Sequence, residues 1–177
     1  MSVHPVPSDF EARCNAAFEA VMWAMARPGL VRDLPTTGMA QLVEALIDRE
    51  CAVYCAEPGL AELAEKTGAL AVAPDRADHV FVDDIPDRLL TQLNCGTDLH
   101  PDDGATLIAK ADFSNGPQLR LTGPGIDGHV ILSVGGLPHD FWQHRTRALR
   151  YPMGFEILLV DGARVLGIPR STIVEVL

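Results

Sequence analysis

Between Ser8 and Val82 the apolar residues switch repeatedly between helical spacing and short continuous runs, and glycine, proline or charged turns mark the switches. Ser8-Asp9-Phe10-Glu11 has the form of a capping box, in which a hydroxyl accepts from an orphan amide and a glutamate three residues on reciprocates. Phe10, Cys14, Phe18, Val21, Met22 and Met25 then follow the helical period, which predicts a docked amphipathic helix with these side chains as its packed stripe. Pro28-Gly29 stops it after Arg27. The period returns in Met39, Leu42, Val43, Leu46 and Ile47, and the β-prone run 51–55 follows directly as a strand. Pro58-Gly59 opens a third helical stretch, with Leu60, Leu63 and Ala64 on one side and Glu62 facing Lys66, closed by Thr67-Gly68. Residues 70–73 and 79–82 predict strands, and 85–94 a further helix ending at Cys95-Gly96. This alternation confines the first half of the chain to an α/β arrangement.

From residue 104 strands dominate: ATLIAKA, QLRLTG and HVILSV, separated by Ser114-Asn115-Gly116-Pro117 and Gly123-Pro124-Gly125. One helix over residues 138–149 interrupts them, and Tyr151-Pro152 ends it because a residue before proline avoids helical angles. FEILLV and ARVLGI flank Asp161-Gly162, a sequence suited to a two-residue primed turn, which predicts an antiparallel hairpin; STIVEV is a further possible strand. With 15 glycines and 13 prolines in 177 residues, many short elements are expected. No repeat or linker divides the chain, so it reads as one domain, long enough for a core that needs no disulfide or metal staple.

Fourteen basic against 24 acidic residues give a formal charge of −10, which would repel a phosphate backbone, so nucleic acid is not an expected partner. No apolar stretch approaches the roughly 18 residues that span a bilayer, and MSVHPVPSDF lacks the basic-then-apolar form of an export signal. The expectation is a cytoplasmic protein away from membranes. Cys14, Cys51, Cys55 and Cys95 are neither dense nor framed for export, so they read as reduced, buried thiols. Cys51 and Cys55 share one face of a strand about 13 Å apart, too far to ligate one zinc ion as neighbours.

Gly123-Pro124-Gly125-Ile126-Asp127-Gly128 satisfies G-x-G-x-x-G, but a strand over residues 129–134 follows where a dinucleotide fold needs a helix N-terminus. A tight connection between strands is the preferred reading. A glycine-rich turn after Thr122 could still present backbone amides to an anion. Asp98, His100, Asp102 and Asp103 offer oxygen and nitrogen ligands but lack EF-hand spacing, and Pro-Asp-Asp-Gly is an ordinary turn, so no metal is expected. Asp83, Asp84 and Asp87 sit where capping explains them.

His139, His144, Arg145, Arg147 and Arg150 concentrate positive charge on one helix of an acidic protein, either as a solvated face or as a surface for a partner or anionic ligand. Arg27 in Ala-Arg-Pro-Gly could complete a helix end, and Arg170 in Ile-Pro-Arg-Ser-Thr a buried salt bridge; either could instead fork onto a phosphate or phosphonate. Together with the amides of Thr122, Gly123 and Gly125 they make a candidate anion site. No nucleophile, base or metal motif assigns a catalytic residue.

Five ordered segments, FEAVMWAMARPG (18–29), DGATLI (103–108), LRLTGPGI (119–126), YPMGFEILL (151–159) and IPRST (168–172), together resemble the PhnH family of bacterial phosphonate use, over nearly the whole chain. Tyr151 and Glu156 depart from that family's usual phenylalanine and aspartate; the second keeps a carboxylate and lengthens its reach. The resemblance implies a single domain over residues 1–177, with a three-layer α/β/α fold and a mixed sheet, like the pyridoxal-phosphate-dependent transferases but without pyridoxal phosphate. The only lysines, Lys66 and Lys110, lie in no recognisable cofactor motif, so no cofactor is expected. The resemblance also implies a homodimer within a carbon-phosphorus lyase core with PhnG, PhnI and PhnJ. That system couples an alkylphosphonate to the ribose of ATP before a radical step elsewhere. The expected role is a non-catalytic assembly subunit, with an independent phosphonate- or nucleotide-binding protein as the alternative.

Overall fold

The computed structural model describes residues 6–177; residues 1–5, which open the segment read as lacking an export signal, lie outside the described residues. In chain order the first half comprises α1 (Asp9–Ala26), β1 (Arg32–Asp33), α2 (Ala40–Leu46), β2 (Ala52–Cys55), α3 (Pro58–Thr67), β3 (Leu70–Ala71), β4 (His79–Val82) and α4 (Leu89–Gln92). The second comprises β5 (Thr106–Lys110), β6 (Gln118–Thr122), β7 (Val130–Ser133), α5 (Phe141–Ala148), β8 (Glu156–Asp161), β9 (Arg164–Ile168) and β10 (Ile173–Val176). Seven strands form a mixed sheet in the order β1-β9-β8-β5-β4-β2-β3, in which β3, β2, β4, β5 and β8 are parallel and β9 is antiparallel to its neighbours. A separate antiparallel sheet has the order β10-β6-β7.

Side-chain alternation explains why the inner strands read as continuous apolar runs. Phe81, Ile108, Leu158 and Val160 point to one face, which α1, α2 and α3 cover. Val80, Val82, Leu107, Ala109, Ile157 and Leu159 point to the other, against Leu89 and Leu90 of α4, Phe141 and Trp142 of α5, and Leu119 and Leu121 of the small sheet. A strand buried on both faces has no polar side to show. One outer layer is therefore helical and the other mixes two helices with a sheet.

The capping box at Ser8 forms: its hydroxyl accepts from the Glu11 amide at 3.2 Å, and its own amide donates to the Glu11 carboxylate at 2.7 Å. The helix it starts is turned differently from the sequence expectation. Ala17, Ala20, Val21 and Ala24 are buried, whereas Phe10, Phe18 and Met22 are 49%, 52% and 49% exposed. Gly167 of β9 is the reason. A methyl built on it would lie 2.5 Å from the Ala24 carbonyl oxygen, and backbones that close leave room only for small side chains between them.

Other departures have local causes. The helix expected over residues 85–94 is the single turn α4, because Arg88 takes φ = 70° and a left-handed residue cannot extend a right-handed helix backwards. The helix expected from residue 138 starts at Phe141, after a turn in which the Phe141 amide donates to the Pro138 carbonyl. The β8–β9 hairpin forms, but Asp161 pairs with Arg164, so the central residues are Gly162 and Ala163, with Gly162 at φ = 60°. Gly123 to Gly128 join the antiparallel neighbours β6 and β7, with no helix for a pyrophosphate. The four cysteines are free and half-buried, and burial pushes the Cys55 thiol up to about 11. Among the described residues no helix is long and apolar enough to cross a membrane. No group of three or more His, Cys, Asp or Glu side chains is placed there to hold a metal ion.

Burial also pushes the β4 imidazole of His79 below its ordinary value of 6.5, against partial opposition from Asp78 and Asp48, and its Nδ1 has no partner. As pH falls through about 6.5 the unfolded chain takes this proton before the folded one does, so folding stability declines until the native imidazole also protonates. His79→Phe should flatten stability between pH 7 and 5.5, measured by urea unfolding; an unchanged slope would remove His79 as its source.

Candidate functional site

Arg170 follows β9, and Glu156 opens the adjacent β8. The Arg170 amide donates to Glu156 Oε2 at 2.6 Å and its Nε to Oε1 at 2.5 Å, with side chains 14% and 22% exposed. Nη1 donates to the Pro101 carbonyl and, at 3.3 Å, to that of Pro152. One guanidinium thus ties the end of β9 to the start of β8 and to two loops. Gly104 makes room for it, since a methyl there would lie 2.0 Å from the Gly154 carbonyl oxygen and 3.1 Å from both Arg170 terminal nitrogens.

The Gly123–Gly125 turn is wedged on the other side of this junction. A methyl on Gly123 would meet the Ser171 carbonyl oxygen at 2.9 Å, and one on Gly125, at φ = 83°, the Ala26 carbonyl oxygen at 2.4 Å. Arg27 ends α1 beside that turn, its amide donating to the Trp23 carbonyl at 2.9 Å and its side chain exposed. The structure therefore brings Arg27, Thr122, Gly123 and Gly125 near one another. Arg170 adjoins them through its backbone, while its guanidinium is engaged with Glu156.

Arg145 lies beneath the same junction. It is 2% exposed and donates from Nη1 to the Thr172 carbonyl at 3.1 Å and from Nη2 to that of Pro169 at 2.8 Å. Burial lowers its pKa to about 10, against the favourable charge of Glu156. The sequence reading placed Arg145 on a charged surface with Arg147 and Arg150; only the latter two are exposed. The signal it passed over was the i,i+4 spacing from Phe141, which puts Arg145 on the buried side of α5.

The five sequence segments thus form one run of contacts: Ala26 on Gly125, Gly123 on Ser171, and Arg170 on Glu156, Pro152 and Gly104. Residues 8–175 match the family described as "Bacterial phosphonate metabolism protein (PhnH)". The chain belongs to the PhnH family. A Stutzerimonas stutzeri relative, named "Putative C-P lyase subunit protein HtxG", is 31% identical over 169 residues, covering 90% of this chain and 85% of its own length.

In this PhnH-family chain the junction's polar groups act on the protein itself. Arg170 and Glu156 neutralise each other, and Arg145 serves two carbonyls. Burial raises the pKa of all four thiols, so each is a weak nucleophile at neutral pH. The arrangement sets loop and strand positions.

Proposed function

We propose that this protein, as one domain over residues 1–177, is a non-catalytic assembly subunit of a carbon-phosphorus lyase core with PhnG, PhnI and PhnJ. There it supports coupling of an alkylphosphonate to the ribose of ATP. The observation that carries this reading is the internal engagement of Arg145, Glu156 and Arg170, which fixes backbone and leaves the exterior to act. Co-expression with a tagged PhnI-type subunit is expected to recover the chain as a stoichiometric component, and Arg147→Glu with Arg150→Glu on α5 to weaken recovery. Absence of co-purification, or recovery of a complex that couples phosphonate to ATP fully without this chain, would overturn it.

The homodimer is assigned to α1. An antiparallel pair of α1 helices crossing at Ala16 sets Phe10 against Met22, Cys14 against Phe18, and Arg13 against Glu19, the self-matching a two-fold interface requires. Phe18→Glu puts a charge at that seam without touching the monomer core, so light scattering should change from dimer to monomer with the circular dichroism spectrum retained. A dimeric variant or a monomeric wild type would refute it.

Likeness to the pyridoxal-phosphate-dependent transferases is read as shape alone. Lys66 and Lys110 are both exposed, at the ends of α3 and β5, and adding pyridoxal phosphate should yield no aldimine absorption that a lysine variant abolishes. The alternative anion site draws support from the proximity of Arg27 to the Thr122–Gly125 turn. Calorimetric titration with methylphosphonate or ATP, repeated on Arg27→Ala, decides it.

A further inference from the structure

Two adjoining hollows run between α4 and α5, and both are lined by Leu90, Thr91 and His144. The larger, about 400 Å³, reaches Cys95, Arg147 and Ala148; the smaller, about 170 Å³, reaches Arg88, His139 and Asp140. The larger falls within the size range of small-molecule sites. Leu90 and Ala148 give it an apolar wall beside the exposed His144 and Arg147, while Arg88 stands exposed on the smaller hollow, which shares His144 with it.

Three observations set this cleft apart from an ordinary solvated face. Among the described residues neither Arg88 nor Arg147 has a carboxylate within 4.0 Å, in a chain whose formal charge is −10. The nearby acid Asp140 has His139 Nδ1 2.9 Å from its Oδ1 and shares its charge with His144 and Arg147, leaving Asp87 as the other carboxylate on the smaller hollow's lining. Arg88 is also the sole non-glycine among the described residues with positive φ, at 70°. Left-handed backbone at a residue with a long side chain is strained, and such strain concentrates at ligand-binding positions.

We propose that the α4–α5 cleft binds a small organic phosphate monoester, with its phosphoryl oxygens among Arg88, His144 and Arg147 and its organic part along Leu90 and Ala148. Guanidinium donors on two adjoining hollows, with the His144 imidazole lining both, suit a compact oxyanion, and the apolar wall favours an organic group over the free ion. The site is separate from the Arg27–Gly125 turn and does not depend on the assembly reading. Arg147 is common to both, so the decisive variants are at Arg88 and His144.

The test is calorimetric titration of the full chain with ribose 5-phosphate, inorganic phosphate and ribose. Ribose 5-phosphate should bind more tightly than inorganic phosphate, and ribose not at all. Arg88→Gly removes the charge and relieves the backbone, since glycine adopts positive φ without cost. It should weaken ribose 5-phosphate binding about tenfold while raising the thermal midpoint, a pairing that a purely structural Arg88 would not give. His144→Gln should weaken binding without that stabilisation. No heat with ribose 5-phosphate, equal affinity for inorganic phosphate, or unchanged binding in Arg88→Gly would each overturn the proposal. Loss of partner co-purification would bear on the assembly reading alone.

Discussion

Arg170→Ala should lower folding stability by about 3 kcal/mol, because it removes the cation of a largely buried ion pair and leaves the carboxylate behind. The side chain donates to the Glu156 carboxylate and to the Pro101 and Pro152 carbonyls, so truncation also removes the donor to Pro152 and leaves Pro101 with the Gly104 amide at 3.4 Å alone. For a chain of this length such a loss corresponds to a thermal midpoint lower by about 6–12 °C. Arg170→Lys should recover little, since one ammonium cannot reproduce donation from Nε and Nη1 in different directions. Pairing Arg170→Met with Glu156→Gln should cost less than the sum of the single changes, because no bare charge remains inside. Urea unfolding of the five variants, the two single changes of the pair included, measures these effects. A wild-type midpoint for Arg170→Ala would show that the junction is held by packing alone, and would return the guanidinium to the candidate anion site.

Most of the large sheet was legible in the sequence for one physical reason. Strands covered on both faces cannot alternate apolar and polar residues, so continuous apolar runs such as 80–82 and 157–160 stand out against their turns. The hairpin at Gly162 was legible because its turn chemistry is local. The small sheet was less so: β10 pairs with β6 across some fifty intervening residues, and neither strand names its neighbour. The face of α1 was legible only in part: Val21 of the expected stripe is buried and Met25 packs against the core, whereas Phe10, Phe18 and Met22 face outward. Ala17, Ala20 and Ala24 recur with the same period as Phe10, Phe18 and Met22, and the larger side chains look like the core until the partner strand is known. At the candidate site the sequence isolated Arg170 and offered a buried salt bridge as one of its two readings. Its partner Glu156 is visible only as a family departure, and Arg145 reads as surface because four of its neighbours along α5, Gln143, His144, Thr146 and Arg147, are polar or charged.

Gly167→Ala tests what decides the face of α1, and its expected effect is as large as that at Arg170. The added methyl would lie 2.5 Å from the Ala24 carbonyl oxygen, 2.6 Å from its carbon and 2.8 Å from the Met25 nitrogen, all of them backbone atoms that no rotamer change can move. Either α1 lifts from β9 or β9 bends out of the sheet, and overpacking of this kind costs about 3 kcal/mol. Gly162→Ala is the matched control. It has a positive φ of 60° and nothing within 4 Å, so its cost is conformational only, about 1 kcal/mol. Gly167 has no positive φ, so a larger loss there than at Gly162 isolates crowding as the cause. Ala24→Gly should fail to rescue Gly167→Ala, because the collision is with the carbonyl of residue 24 and not with its methyl. Rescue, or a loss no greater than that of Gly162→Ala, would mean that side-chain packing rather than backbone approach turns Phe10, Phe18 and Met22 outward. If the helix does lift, those three residues shift with it, so Gly167→Ala should also weaken self-association through α1 at concentrations where the variant remains folded.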